Sequence, residues 1–103
     1  MRGFDIEVKV KKAHFQKGVL SDPHKCPVAL AVVEAFERAF GRMNWRVAEI
    51  LSLLHLYIPD RETIAVPLPD NAKDRIFAYE TEDKAEPYAF QLRMPPKHVM
   101  GLK

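Results

Sequence analysis

The sequence has little of what most enzyme and membrane signatures require. Cys26 is its only cysteine among 103 residues. A single thiol cannot close an internal disulfide or build a cysteine-rich zinc site, and it suits a reducing compartment. The four glycines, Gly3, Gly18, Gly41 and Gly101, are scattered, so no glycine-rich loop is present to cradle a phosphate. Long apolar runs are missing too. The longest candidate, Ile50 to Ile58, is interrupted by Ser52 and His55, whereas a membrane-crossing helix needs ~18 apolar residues or more. Charged side chains begin at Arg2, Asp5 and Glu7, which leaves no apolar stretch resembling a secretory leader. The expectation is a cytoplasmic protein with no membrane partner.

What is present is ordinary globular material. Apolar residues make up 48% and charged residues 29% of the chain, so a packed core is expected rather than disorder. The length suits one domain, expected over residues 1–96, with a flexible tail at 97–103. The net charge is only +2, but it is unevenly placed. Arg2, Lys9, Lys11, Lys12, Lys17 and Lys25 face only Asp5, Glu7 and Asp22 within the first quarter, and the remainder is nearly neutral.

Phe4-Asp5-Ile6-Glu7-Val8-Lys9-Val10-Lys11 alternates apolar and charged residues without a break, the pattern of a half-buried strand. The alternation ends at Lys12, and Gly18 suggests a turn. From Pro27 to Phe40, apolar residues recur at steps of three and four, which predicts a helix. Pro27 suits its first position, Cys26 its N-cap and Gly41 its end. Glu34 and Arg38 are four apart on its exposed side. Thr63 to Leu68 reads as a short strand, with Pro67 at its end or on a sheet edge. Asp70 is a plausible N-cap for a helix to about Tyr79, with Ala72, Ile76 and Tyr79 or Phe77 inward. Tyr88, Phe90, Leu92 and Met94 alternate in a last strand stopped by Pro95-Pro96. Asn44 to Ile58 fits either period, and local propensity slightly favours helix.

Three landmarks occur in order: the basic strand leading to Gly18-Val19, the helix entry Cys26-Pro27-Val28-Ala29-Leu30-Ala31, and Pro67-Leu68-Pro69 before a helix and the strand Pro87-Tyr88-Ala89-Phe90. Together they resemble a small family of about one hundred residues from bacteriophage and bacterial mobile-element genomes. In that family a Cys-Pro-(Val/Ile)-Ala-Leu-Ala stretch opens the long early helix. The resemblance covers nearly the whole chain, and no activity is attached to the family, so it transfers no catalytic residue. It implies extended structure at Trp45–Glu49 and Ser52–Ile58, although Leu51-Ser52-Leu53-Leu54 departs from the pattern. It also implies an accessory protein that acts by occupying a host or phage macromolecule, inhibition of a host defence system being one version.

Cys26 is the most chemically suggestive residue. A thiol at a helix N-terminus beside His24 and Lys25 would favour the thiolate, with His24 or His14 as proton acceptor. The plainer reading makes Cys26 a half-buried cap, because free cysteine packs well. His24, Cys26 and His14 or His55 supply only half of the paired spacing that structural zinc sites show, so neither a metal nor a cofactor is expected. Lys9, Lys11, Lys12, Lys17 and Lys25 could track phosphates, but Asp5 and Glu7 share the strand face, and edge lysines also block aggregation. Glu80-Thr81-Glu82-Asp83 and Glu86 read as a solvated loop. Trp45, Tyr57, Phe77, Tyr79, Tyr88 and Phe90 are expected to supply much of the core, any left exposed marking a partner surface.

These readings converge on an α+β fold, a mainly antiparallel sheet of four to five strands with two helices packed on one face. The expected function is non-enzymatic protein binding, through the lysine-bearing face or an edge strand that could also pair two copies. The alternatives are a small thiol-dependent enzyme centred on Cys26 and a nucleic-acid-binding module using the N-terminal lysines.

Overall fold

A computed structural model describes residues 3–19, 22, 24–41, 46–50, 53–57, 63–82 and 85–96. The fold is α+β. Its elements in chain order are β1 (Phe4–Val10), α1 (Lys12–Lys17), α2 (Pro27–Phe40), β2 (Arg46–Ile50), β3 (Leu53–Tyr57), β4 (Ile64–Pro67), α3 (Asp70–Glu82) and β5 (Tyr88–Met94). The expected tail at 97–103 lies outside the described residues.

The strands form two antiparallel sheets. β1 pairs with β5, and β2–β3–β4 make a meander. β4 touches β5 without pairing with it, while α2 packs on both β1 and β2. The helix therefore ties the sheets together on the side where no strand joins them. One core cluster draws on every strand and on α2 and α3, with Val8, Val32, Phe36, Leu54 and Leu92 inaccessible to solvent.

α2 is determined locally. Pro27 occupies the first turn, and the Cys26 sulfur accepts a hydrogen bond from the Ala29 N–H at 3.4 Å. At the other end Gly41 takes φ 85° and ψ 177°, a region essentially closed to residues with a Cβ, and its N–H bonds the Glu37 carbonyl. Between the ends, Ala29, Val32 and Phe36 are buried on one face, and Ala39 is exposed.

Two departures from the sequence reading are local. Lys12–Lys17 forms a short helix where only a turn was expected, because His14 Nδ1 accepts the Lys11 N–H at 2.8 Å and satisfies the first free donor. α3 starts at Asp70 itself, with the Pro69 carbonyl accepting from Ala72 and Lys73, so Asp70 is inside the helix rather than its cap. α3 then runs a turn past Tyr79, to Glu82.

Cross-strand register assigns the faces. In the β1–β5 pair, Ile6, Val8, Val10, Phe90, Leu92 and Met94 are buried. Their solvent side carries Asp5 opposite Arg93, Glu7 opposite Gln91, and Lys9 opposite Ala89. In the meander Val47, Glu49, Leu54, Leu56, Ile64 and Val66 face inward, and Arg46, Ala48, Ile50, Leu53, His55, Tyr57, Ala65 and Pro67 lie on the other face. The strand period therefore governs residues 46–50 and 53–57 despite their leucine content: Val47 is opposite Leu56, and Glu49 opposite Leu54. No helix among the described residues is long and apolar enough to cross a membrane.

Candidate functional site

Cys26 lines a narrow slot where α1, the start of α2, β2, α3 and β5 converge. Phe15, Tyr79 and Tyr88 provide aromatic walls, and Glu49, Arg75 and Glu80 the charges. Gly18 makes this convergence possible, since a Cβ there would come within 2.8 Å of both the His14 carbonyl and the Pro27 ring. Phe15 packs on Tyr79 with ring centroids 5.1 Å apart. The Arg75 guanidinium sits 5.7 Å from the Tyr88 ring centroid and donates to Glu86 at 3.1 Å. The space within it is about 20 Å³, room for roughly one water molecule.

The electrostatics of the slot hold its thiol in the protonated form. Burial is the strongest influence and pushes the Cys26 thiol up. The Ala29 hydrogen bond opposes it, and the Glu49 and Glu80 carboxylates push in the same direction as burial. Burial thus outweighs the helix N-terminus, opposite in direction to the thiolate expected of an exposed cap. Burial likewise raises the Tyr88 phenol. At neutral pH neither group is ionised, so the slot presents neither a thiolate nucleophile nor a phenolate base.

The histidines are dispersed. His24 is exposed, its N–H bonds Asp22 Oδ1, and its ring lies 5.9 Å from that of Tyr57 rather than acting on the thiol. His55 sits on the outer face of the meander between Ala48 and Ala65. His14 is only 6% exposed, and both ring nitrogens are used. A backbone N–H can only donate, so Nδ1 is the acceptor for Lys11, and Nε2–H donates to Glu34 Oε2 at 2.5 Å. No group of three or more His, Cys, Asp or Glu side chains among the described residues is disposed to hold a metal ion.

The lysine series does not form one patch. Lys9 lies 3.6 Å from Glu7, and Lys11 donates to Glu34 Oε1 at 2.8 Å. Lys12 and Lys17 are exposed on α1, and Lys25 in the loop before α2. Two of the five lysines of the expected contact series are thus engaged by carboxylates of the same chain.

The aromatic expectation needs a larger correction. Phe90 is buried, Tyr79 and Tyr88 are half-buried slot walls, and Phe77 is 66% exposed on α3. Tyr57 lies on the outer face of the meander, and Trp45 is outside the described residues. That outer face is the surface the sequence reading missed. Ile50 and Leu53 pair across β2 and β3 at 40% and 38% exposure, and exposed Pro67 and Ala65 extend the apolar area along β4. The signal was available in Ile50 and Leu53, which break the apolar–charged alternation seen in β1, but their faces follow only from the cross-strand register.

No family model, curated protein or solved structure matches this chain.

Proposed function

We propose that this chain is a small non-enzymatic protein-binding domain that acts through the outer face of its three-stranded sheet. The observation that carries the reading is the contrast between the two sheets. The solvent side of β1–β5 is armoured with charge, including an Asp5–Arg93 contact at 3.4 Å. The corresponding side of β2–β3–β4 exposes Ile50, Leu53, Ala65 and Pro67 around a fully buried Ala48, with Arg46 its only formally charged residue among those described. Apolar area left open on one face, when the same chain protects the other, is the composition of an interaction surface.

The chemistry of the slot supports the same reading from the other direction. Its thiol is held protonated, and both nitrogens of the buried histidine are committed to the fold. With the family resemblance, the reading becomes an accessory protein of phage or mobile-element type in the host cytoplasm, occupying a host or phage protein. The test is affinity capture from bacterial lysate, with and without phage infection, comparing wild type, Ile50→Glu/Leu53→Glu and Cys26→Ser. A partner retained by wild type and Cys26→Ser but lost by the face variant is the expected result. Capture indifferent to the face variant, or abolished by Cys26→Ser, would overturn the reading.

A further inference from the structure

We infer that α1 is an acid-sensitive flap over the slot, loosened when His14 takes a second ring proton. The inference is independent of which surface binds a partner. It starts from the place of the histidine in its helix. His14 is the third residue of α1, where a Glu or Gln side chain ordinarily turns back to accept the N-cap N–H. Here Nδ1 does so, 2.8 Å from the Lys11 nitrogen. That acceptor exists only while the imidazole is neutral, because imidazolium carries N–H on both nitrogens. Protonation therefore sets two donors against each other at a side chain that is almost fully buried, where an unmade hydrogen bond is costly. The bond to Glu34 Oε2 becomes charge-assisted at the same time, and stronger. The ring stays with α2, and the first turn of α1 loses its cap.

The charged surroundings assign the event to this histidine. From α2, Glu34 faces the ring, and it also accepts from Lys11 Nζ and Arg38. Lys12 and Lys17 lie exposed on α1 itself. α3 meets α1 through Tyr79 on Phe15, with Arg75 and Glu80 among the other residues of the slot. Glu34, lowered to about 2, stays ionised over the range in which histidines change charge. A third cation on a carboxylate already shared by two also weakens the Lys11 Nζ contact. The effect reaches the slot because Phe15, the next residue, is the wall that α1 contributes. A six-residue helix has no independent stability, so losing its cap loosens Phe15 from Tyr79 and opens the slot toward Cys26.

The experiment follows the full chain by NMR from about pH 8 to about pH 5. The His14 ring nitrogens report tautomer and protonation, and amide protection factors report α1. Reaction with a pyridyl disulfide reports access to Cys26, each rate being divided by that of His14→Gln at the same pH. The ring is expected as the Nε2–H tautomer at the upper end. As it protonates, α1 protection should fall about fivefold or more, and the relative rate at Cys26 should rise in step. In His14→Gln, whose amide accepts from Lys11 and donates to Glu34 at every pH, protection should stay flat. That variant keeps His24 and His55, so loosening that persisted in it would assign the effect elsewhere and overturn the inference. Constant α1 protection while His14 titrates would overturn it as well, as would a ring that stays neutral throughout. Should circular dichroism show His14→Gln unfolded, wild type decides alone. The ring and helix midpoints then coincide if the flap exists and separate if it does not.

Discussion

His14 Nε2–H donates to Glu34 Oε2 at 2.5 Å, joining the first turn of α1 to the middle of α2. The same carboxylate accepts from Lys11 Nζ at 2.8 Å and from Arg38 at 3.3 Å. One glutamate therefore holds a buried imidazole in a single tautomer, anchors the residue that caps α1, and uses a lysine that would otherwise be available to an anionic ligand. Glu34 thereby adds to the packing of Phe15 on Tyr79 in docking α1, a helix too short for independent stability.

The Lys11 hydrogen bond, followed by that of His14, lowers the Glu34 carboxyl from its ordinary 4.5 to about 2. The folded value lies below the unfolded one, so the charged form favours the native state. This contribution is complete above about pH 4.5 and is lost as pH falls toward about 2. Because the Glu34 side chain is 39% exposed, solvent screening limits it to about 1 kcal/mol or less. Urea denaturation across this window should show Glu34→Gln less stable than wild type at pH 7 and converging with it near pH 2. A gap that stays constant with pH would mean that the charge contributes nothing. Glu34→Ala, which removes the acceptor from buried His14, should cost about 1–3 kcal/mol at pH 7.

Cys26 should be a slow thiol. The pH dependence of its alkylation by iodoacetamide in the native protein should have a midpoint above the ordinary value, and Glu49→Gln should move that midpoint down, since the Glu49 charge helps to raise it. Cys26→Ser replaces the capping sulfur with an oxygen that caps well, so thermal unfolding should shift by the equivalent of no more than about 1 kcal/mol. An alkylation midpoint below about 8 would restore the activated thiol and with it the enzyme reading.

Legibility followed the range of the interactions involved. α2 could be read because its signals are all local: Pro27 at the start, Gly41 at the end, and Ala29, Val32 and Phe36 on one face. β1 and β5 could be read from strict alternation, and they pair along their full length, from Phe4 with Met94 to Val10 with Tyr88. α1 could not, because its capping histidine is fixed by Glu34, 20 residues away in the chain. The protonated state of Cys26 was hidden for the same reason: local sequence shows Lys25 and His24, whereas the thiol is raised first by burial in the slot and then by the Glu49 and Glu80 charges, all set by the tertiary fold. Residues 46–50 and 53–57 defeated local propensity because leucine favours helix, while the pairing of Val47 with Leu56 and of Leu54 with Val66 is settled across strands. The division into two sheets follows from β4 and β5 meeting without backbone pairing, which no periodicity reveals.

Gly41 offers a test of backbone strain uncomplicated by packing. Its φ of 85° with ψ of 177° is a glycine conformation, yet a Cβ built there meets no atom within 4 Å. Gly41→Ala should therefore cost about 1–3 kcal/mol through the backbone alone. Chemical denaturation reads the cost directly. A neutral substitution would show that α2 can end by another route.

The two faces of the β2–β3 hairpin should respond oppositely to substitution, although the residues are neighbours in sequence. Leu54 is inaccessible to solvent, and Leu54→Ala should cost about 2–5 kcal/mol from lost burial and the cavity left behind. Ile50 and Leu53 lie directly opposite each other on the outer face at 40% and 38% exposure, so Ile50→Lys should change stability by only about 0.5 kcal/mol. That pairing of outcomes matters for function, because side chains that contribute nothing to folding are available to a partner. If thermal unfolding showed Ile50→Lys to be as costly as Leu54→Ala, the outer face would be part of the protein's own core. The protein-binding surface would then have to be sought elsewhere, beginning with Phe77, which is 66% exposed on α3.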